Sequence, residues 1–267
     1  MAKIDLSQRS WTLEGWRPFL WRLGRGTTFQ PELGPMTAPV PGSVQEALRQ
    51  AGVLPDWNVG VQSRDCEWVE HRHWTYETVI PANTVPPGAE ADLVADGLDY
   101  AGWVLLDGEE RGRFEGALIP HRFTLGDVLG DGKDHTLTLV FEEPPREQGQ
   151  IGYTSLSRFF KPRYTYSWDW CPRIVPIGVW DGLYLVTDRD RTVQVVSIRA
   201  DWSQEKNAGE VKAVIASAEQ GRLIARLMNG EEAIRTEEIT PDNDTFTLTM
   251  NDLNVEPWWP NGLGEAK

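Results

Sequence analysis

The stretch Trp-Thr-Tyr-Glu-Thr-Val-Ile at residues 74–80 indicates the fold more clearly than any other part of the chain. Its first, third and seventh side chains are large and apolar, whereas polar and β-branched side chains lie between them. A period of two is typical of a β-strand that presents one face to a core. These residues therefore predict a half-buried strand.

Further strand signals lie on both sides of this stretch. Alternating or apolar runs occur at residues 103–106, 137–141, 183–186, 193–195, 211–215, 223–228 and 246–250. Turn pairs follow two of them, Asp107-Gly108 and Asn229-Gly230. Short strands about ten residues apart, without helices between them, favour antiparallel sandwiches over a Rossmann fold or a barrel. We predict an all-β protein.

One helix is well signalled, at residues 43–51. Ser43 and Glu46 have the spacing of a capping box, and Gly52 is placed to end the helix. A charged stretch at residues 188–191 separates the strand runs into two groups, and 267 residues are enough for two domains. We therefore predict two domains, residues 1–190 and residues 191–267.

The charge composition disfavours anionic binding partners. The chain has 26 Lys and Arg against 40 Asp and Glu, a formal net charge of −14, which disfavours binding to nucleic acid or to an anionic membrane surface. The first residues contain no apolar signal segment, and no run approaches the ~18 apolar residues of a membrane span. We expect a soluble, cytoplasmic protein with free thiols at Cys66 and Cys171.

The densest chemistry lies at residues 161–173, Lys-Pro-Arg-Tyr-Thr-Tyr-Ser-Trp-Asp-Trp-Cys-Pro-Arg. Four aromatic residues, one acid and three bases are more than a core requires. Aromatic faces beside a carboxylate are suited to holding a sugar. The alternative is a buried Arg–Asp pair packed between tryptophans, and the residues alone favour neither interpretation.

A metal site has weaker support. His71 and His73 are placed to share one strand face, but no third ligand is recognisable near them, and zinc usually takes three or four protein ligands. A polar strand face is the better interpretation. We expect no metal and no cofactor.

Residues 167–173, Ser-Trp-Asp-Trp-Cys-Pro-Arg, followed by Gly178-Val179-Trp180, resemble two motifs of the β-mannosidases in glycoside hydrolase family 2, Trp-Asp-Trp-Gly-Pro-Arg and Gly-Ile-Trp. Other segments resemble the family in the same order along the chain. They are residues 40–44, 68–76, 96–99, 106–108, 120–123 and 257–264. The resemblance therefore covers nearly the whole chain.

The resemblance implies a jelly-roll, galactose-binding-like sandwich at residues 1–190 and an immunoglobulin-like sandwich at residues 191–267, whose closing strand in the family lies just past Gly264. The family's catalytic (β/α)₈ barrel comes next and needs about 250 further residues. Its acid/base glutamate follows an asparagine, and none of the eight Asn residues here precedes Glu. We expect a non-catalytic N-terminal region of a retaining exo-glycosidase, inactive alone.

The resemblance also implies roles for four residues in substrate binding. Asp169 would accept hydrogen bonds from the sugar, Trp168 and Trp170 would shape the wall of the pocket, and Arg173 would orient Asp169. The implied partners are a β-mannoside and the protein's own C-terminal barrel. The sequence departs from the family pattern at two places that bear on which sugar is bound. Cys171 replaces a Gly, and residues 115–117 read Glu-Gly-Ala instead of Asn-Met-Phe.

Two other functions are compatible with the sequence. The chain is suited to a free-standing carbohydrate-binding or interaction module that joins no barrel. Alternatively, the complete enzyme is a family 2 glycosidase for a β-galactoside, a β-glucuronide or a β-glucosaminide. An open reading frame that continues for hundreds of residues would favour an enzyme over a module.

Overall fold

The computed structural model describes residues 3–24, 29–146, 158–187, 193–217, 221–260 and 262–264. The chain forms two compact units, residues 2–187 and residues 188–267, here called the N-terminal unit and the C-terminal unit. Both consist mainly of β-strands, and the predicted all-β fold class, a jelly-roll sandwich followed by an immunoglobulin-like one, is confirmed. The division lies close to the bound of 190 that the sequence analysis gives to the first domain.

The N-terminal unit contains short strands in the described ranges. They are β1 Lys3–Asp5, β2 Trp11–Trp16, β3 Leu33–Ala38, β4 Gly42–Ser43, β5 His73–Ile80, β6 Ala91–Ala95, β7 Leu98–Asp99, β8 Ala101–Leu106, β9 Glu109–Glu115, β10 His121–Gly126, β11 His135–Phe141, β12 Tyr166–Trp168, β13 Cys171–Arg173, β14 Gly178–Val179 and β15 Leu183–Val186. Its helices are α1 Trp21–Gly24 and α2 Val44–Gln50, with 3₁₀ segments at Gln62–His71, Val128–Gly130 and Arg163–Thr165.

Two antiparallel sheets form the sandwich of the N-terminal unit. One has the strand order β3-β2-β5-β11-β8-β9 and the other the order β1-β15-β6-β10. Two smaller sheets, β4-β14-β7 and β12-β13, complete the unit. Strands that are neighbours in these sheets are often distant in the sequence. The same topology brings the residues of the candidate site, which are also distant in the sequence, close together.

Strand β5 runs through the interior of the larger sheet and behaves as its sequence predicts. Trp74, Tyr76 and Ile80 are buried in the core, and Tyr76 lies opposite Leu139 of β11. Burying each large apolar side chain contributes about 1.5–3 kcal/mol. The alternating faces of β5 therefore leave the side chains of Thr75 and Glu77 on the opposite side of the sheet.

The turn between β8 and β9 is also as predicted. Asp107 and Gly108 have φ values of +53° and +84°, the left-handed conformation that a two-residue hairpin turn requires. Glycine adopts this conformation without steric cost, and aspartate tolerates it better than most residues. The Asp-Gly pair therefore fixes the register of this hairpin.

Helix α2 confirms the predicted cap. The Ser43 hydroxyl accepts a hydrogen bond from the backbone N–H of Glu46 at 3.2 Å. Val44, Ala47 and Leu48 are fully buried, and Ala51 is exposed just beyond the end of the helix. The capping bond satisfies one of the free N–H groups at the start of the helix.

We expect Ser43→Ala to lower the free energy of unfolding by about 1 kcal/mol, because it removes this cap. Urea denaturation followed by tryptophan fluorescence measures the change. Ser43→Thr keeps a capping hydroxyl and should stay close to the wild type. An equal loss in the two variants would contradict the capping role.

The structure differs from the sequence analysis around residues 62–73. His71 belongs to a ten-residue 3₁₀ segment, Gln62–His71, whereas His73 begins β5, so the two histidines do not share a strand face. His71 is exposed and His73 is buried. Among the described residues, no group of three or more His, Cys, Asp or Glu side chains is placed to hold a metal ion.

The C-terminal unit contains longer strands. They are β16 Val193–Ser203, β17 Ala208–Ser217, β18 Leu223–Asn229, β19 Glu232–Ile239 and β20 Thr245–Leu253. They form the sheets β16-β17-β20 and β18-β19, and an apolar cavity of about 390 Å³ is lined by side chains of both. Among the described residues, no helix is both long and apolar enough to cross a membrane.

Candidate functional site

The candidate site is a short β-hairpin made by β12 and β13. Tyr166 pairs with Arg173 and Trp168 pairs with Cys171, so Asp169 and Trp170 form the turn between the strands. A hairpin of three-residue strands has too small a hydrophobic face to be stable alone. Its position must therefore be held by contacts with the rest of the N-terminal unit.

The side chains at the tip of the hairpin are exposed. Trp168 and Trp170 are 37% and 77% exposed, and their rings pack edge to face with centroids 5.6 Å apart. Asp169 is exposed as well, and within the described ranges no hydrogen bond or ion pair reaches its carboxylate. The tip therefore presents an available carboxylate flanked by aromatic faces.

Backbone strain coincides with this tip. Ser167 has a φ of +94°, a conformation that residues other than glycine rarely adopt. Strained residues tend to occur at functional sites, where the surrounding structure holds them in place. Cys171 has a negative φ, so a side chain at the position where the family has glycine adds no such strain.

Arg173 holds the base of the hairpin. Its Nε and Nη2 donate to the two carboxylate oxygens of Glu70 at 3.0 and 2.6 Å, and Glu70 is only 5% exposed. The guanidinium also lies 5.0 Å from the centre of the Tyr166 ring. A paired fork of this kind fixes both the distance and the orientation of the two groups.

This geometry corrects two sequence-based expectations. Arg173 contacts Glu70 and not Asp169, so the expectation that Arg173 orients Asp169 is wrong. The alternative of a buried Arg–Asp pair between tryptophans is also wrong, because the Asp169 carboxylate is exposed. The buried acid that pairs with the arginine comes from the 3₁₀ segment Gln62–His71, far away in the sequence.

A second buried ion pair lies where the segment leading to the hairpin begins. The Lys161 ammonium donates to the carboxylate of Asp99 and, at 2.8 Å, to the carbonyl oxygen of Pro176. Burial raises the pKa of Asp99 and lowers the pKa of Lys161, while their mutual attraction opposes both changes. This contact ties Lys161 to β7.

Tyr166 lies in the same polar interior. Its hydroxyl is buried and has no hydrogen-bond partner among the described residues. Burial raises its pKa well above the usual value for tyrosine. The ring thus packs against Arg173 as a neutral group, and the ion pair of Arg173 with Glu70 is a charged contact that holds the hairpin.

Close packing and a hydrogen bond explain the residue types of the Gly178-Val179-Trp180 motif. A Cβ on Gly178 would lie 2.6 Å from the carbonyl oxygen of Gly42, so only glycine fits between β4 and β7. Trp180 is 48% exposed, and its indole N–H donates to the carbonyl oxygen of Ala117 at 2.8 Å. Because a backbone carbonyl makes this contact, it does not depend on which side chain residue 117 carries.

The sequence analysis did not identify Glu70, Lys161 and Asp99 as supports of the site. Glu70 and Asp99 lie in segments that carry the family resemblance, and Lys161 begins the dense stretch, but no local pattern assigns them roles. The signal that could have found them is charge in otherwise apolar surroundings, since a buried charge needs a partner.

The fold of the N-terminal unit is a β-sandwich of the galactose-binding-like class. The chain belongs to the glycosyl hydrolase 2 galactose-binding domain-like family, whose model matches residues 21–181. The resemblance inferred from the motifs is thereby confirmed.

Two curated relatives of this chain are named beta-mannosidase B. The chain is 28% identical over 246 residues to beta-mannosidase B of Aspergillus clavatus, and 26% identical over 253 residues to beta-mannosidase B of Emericella nidulans. Each match covers 85% of this chain and 29% of the relative. The chain therefore spans less than a third of the length of these relatives.

Solved structures share the fold. The β-D-mannosidase from Dictyoglomus thermophilum superposes with a TM-score of 0.74 at 19% identity, covering 99% of this chain and 33% of that one. A β-glucuronidase from Ruminococcus gnavus in complex with D-glucuronic acid gives a TM-score of 0.61 at 17% identity, covering 96% and 40%. At these identities the likeness concerns the fold alone.

Proposed function

We propose that this chain is the non-catalytic N-terminal part of a retaining exo-glycosidase for β-mannosides, and that the hairpin tip forms one wall of the sugar pocket. The observation that carries the proposal is the exposed Trp168-Asp169-Trp170 tip standing on buried ion pairs. Asp169 and Trp170 are exposed and Trp168 is partly so, which is more aromatic and charged surface than a purely structural turn requires.

The residues of the tip divide the work of holding a sugar. The Asp169 carboxylate accepts hydrogen bonds from sugar hydroxyls, and bonds to a charged acceptor are about twice as strong as neutral ones. Trp168 and Trp170 cover the apolar faces of the ring. Arg173 acts one step away, since it holds the hairpin through Glu70.

Bond cleavage belongs to a different part of the complete protein. Retaining glycosidases use two carboxyl groups about 5–5.5 Å apart, one as nucleophile and one as acid/base. We assign these to a C-terminal barrel. The N-terminal unit would position the sugar beside them, and the remaining apolar surface near the hairpin, including Phe160 and Tyr164, is suited to pack against that barrel.

The charge at the tip favours a neutral sugar over a uronic acid. Asp169 is negative, and a substrate carboxylate next to it would be repelled. We therefore expect the complete protein to hydrolyse nitrophenyl β-mannoside faster than the corresponding glucuronide. The similarity to beta-mannosidases, and not this charge, is the reason to expect slower hydrolysis of the galactoside and the glucosaminide. A preference for the glucuronide in this panel would contradict the proposed sugar.

We expect the 267-residue chain alone to hydrolyse none of these glycosides above background. A wall that binds hydroxyls lacks the nucleophile and proton donor that lower the barrier. The assay compares the purified chain with the complete protein at equal molar concentration. Turnover of nitrophenyl mannoside by the isolated chain would overturn its assignment as non-catalytic.

A further inference from the structure

The chain that leaves the candidate hairpin runs from β13 to β14 through residues 174–177, here called the exit segment. Val175 and Ile177 are each only 1% exposed. Pro176, between them, has no backbone N–H, so an uninterrupted strand ladder cannot form at this point. Buried backbone groups nevertheless need hydrogen-bond partners. The exit segment must therefore find its partners in other parts of the N-terminal unit.

Three carbonyl oxygens of the exit segment accept hydrogen bonds from groups outside it. The bonds are those from Gln45 Nε2 to Val175 at 2.6 Å, from Lys161 Nζ to Pro176 at 2.8 Å and from the Val44 N–H to Ile177 at 2.7 Å. Two of these three donors belong to residues at the start of helix α2. The exit segment is thus fastened to a helix that lies about 130 positions earlier in the sequence.

Gln45 contributes a second bond, because its Oε1 accepts from the backbone N–H of Ile177 at 3.3 Å. The side-chain amide of Gln45 thus spans Pro176, from the carbonyl oxygen before it to the N–H after it. A glutamine amide offers a donor and an acceptor together, as a peptide group does. Gln45 is only 3% exposed, so water does not compete strongly for either bond.

The position of Gln45 in the chain explains why a side chain makes these bonds. Strand β4 pairs with β14, with Ser43 opposite Gly178, and the bond from Val44 to Ile177 extends this pairing by one residue. Helix α2 begins at Val44, so the backbone of Gln45 is helical and not extended. The side-chain amide of Gln45 therefore supplies the bonds that a further strand residue would supply.

The exit segment is also joined to the base of the hairpin. It follows Arg173 directly, and the Ile174 N–H donates to the carbonyl oxygen of Thr165 at 3.0 Å. Thr165 lies just before β12 and is itself buried. A displacement of the exit segment would therefore be passed on to β13 and to the tip at residues 168–170.

We propose that Gln45 is a positioning residue for the hairpin: its buried amide holds the exit segment and thereby fixes where the Trp168-Asp169-Trp170 tip meets the sugar. The proposal rests on the proposed function, in which this tip contacts the substrate. Because Gln45 is buried, it acts through the hairpin and not through a contact of its own with the sugar.

The first test measures the hairpin directly, in the 267-residue chain. Cys171 lies on β13 opposite Trp168, and the other cysteine, Cys66, is buried. The rate at which iodoacetamide alkylates Cys171, followed by mass spectrometry of the labelled peptide, reports how often the hairpin opens. We expect Gln45→Met to raise this rate about threefold or more, because methionine fills a similar space without either hydrogen bond. Gln50→Met, at an exposed position of the same helix, is the matched control.

The second test measures kinetics in the complete protein. Gln45→Met should lower kcat/KM for nitrophenyl β-mannoside about tenfold, since a small displacement of binding groups is costly in rate. The loss in Gln45→Met combined with Asp169→Ala should be smaller than the product of the two single losses, because both act through the same tip. Leu129→Ala removes a buried side chain from the 3₁₀ segment Val128–Gly130 and controls for lost stability. It should change neither kcat/KM nor the alkylation rate of Cys171.

Three results would overturn the proposal: an unchanged alkylation rate of Cys171 in Gln45→Met, equal effects of Leu129→Ala, or kinetic losses of Gln45→Met and Asp169→Ala that simply multiply. Failure of the proposed function is distinguishable, since Asp169→Ala would then leave kcat/KM unchanged, while the alkylation rate still shows whether Gln45 holds the hairpin. Gln45→Asn, whose amide is one methylene too short to reach both groups, replaces Gln45→Met if that variant does not fold.

Discussion

Lys161→Met is expected to lower the free energy of unfolding of the N-terminal unit by about 3–5 kcal/mol. The substitution removes one partner of the buried Lys161–Asp99 pair and leaves the Asp99 carboxylate without its cation. Methionine has a similar shape, so little packing is lost. The raised pKa of Asp99 lets this carboxyl take up a proton, which sets an upper limit to the penalty.

Urea denaturation followed by tryptophan fluorescence measures this loss, because ten of the thirteen tryptophans lie before residue 188. Lys133→Met is the matched control. Lys133 pairs with Asp131 at 3.1 Å, but its side chain is 77% exposed, and such surface pairs contribute at most about 1 kcal/mol. Equal losses in the two variants would show that the buried pair has no special role.

A double variant tests the reason for the effect. Replacing both members of a buried ion pair by apolar residues of similar volume is often neutral or stabilising, because no uncompensated charge remains. Lys161→Met combined with Asp99→Leu should therefore recover much of the lost stability. A double variant that is less stable than Lys161→Met would indicate that the pair acts through contacts other than its charges.

Local patterns explain which parts of the fold could be predicted. The alternation in β5, the Asp107-Gly108 turn and the cap at Ser43 each depend on residues within one short segment, and each is observed. Strand β6 was missed because all five of its residues are buried and one of them is Asp92. That acid is paired with Arg122 of β10 at 2.7 Å, a long-range contact that helps to make it compatible with the interior.

In the candidate site, too, local features could be predicted from the sequence and long-range contacts could not. The Trp168-Asp169-Trp170 tip could be identified from sequence because its residues are consecutive. Its supports could not, since Lys161 and Asp99 are 62 positions apart and Arg173 and Glu70 are 103 apart.

Asp169→Ala in the complete protein is expected to lower kcat/KM for its best glycoside about ten- to a hundredfold. A hydrogen bond to a charged group contributes about 1.5–3 kcal/mol, and about 1.4 kcal/mol corresponds to one factor of ten. The structure adds a second expectation. Because no described residue bonds to the Asp169 carboxylate, the melting temperature should stay close to that of the wild type.

Measuring kinetics and stability together separates a sugar contact from a structural role. Asp65→Ala removes another exposed aspartate, in the 3₁₀ segment, and should change neither quantity. Glu70→Gln weakens the charged fork that holds Arg173, so it should lower both the melting temperature and kcat/KM if the hairpin positions the sugar. An Asp169→Ala enzyme with unchanged kcat/KM would refute the proposed contact with the sugar. The substitution breaks no described bond within the protein, so no structural change could mask the loss of that contact.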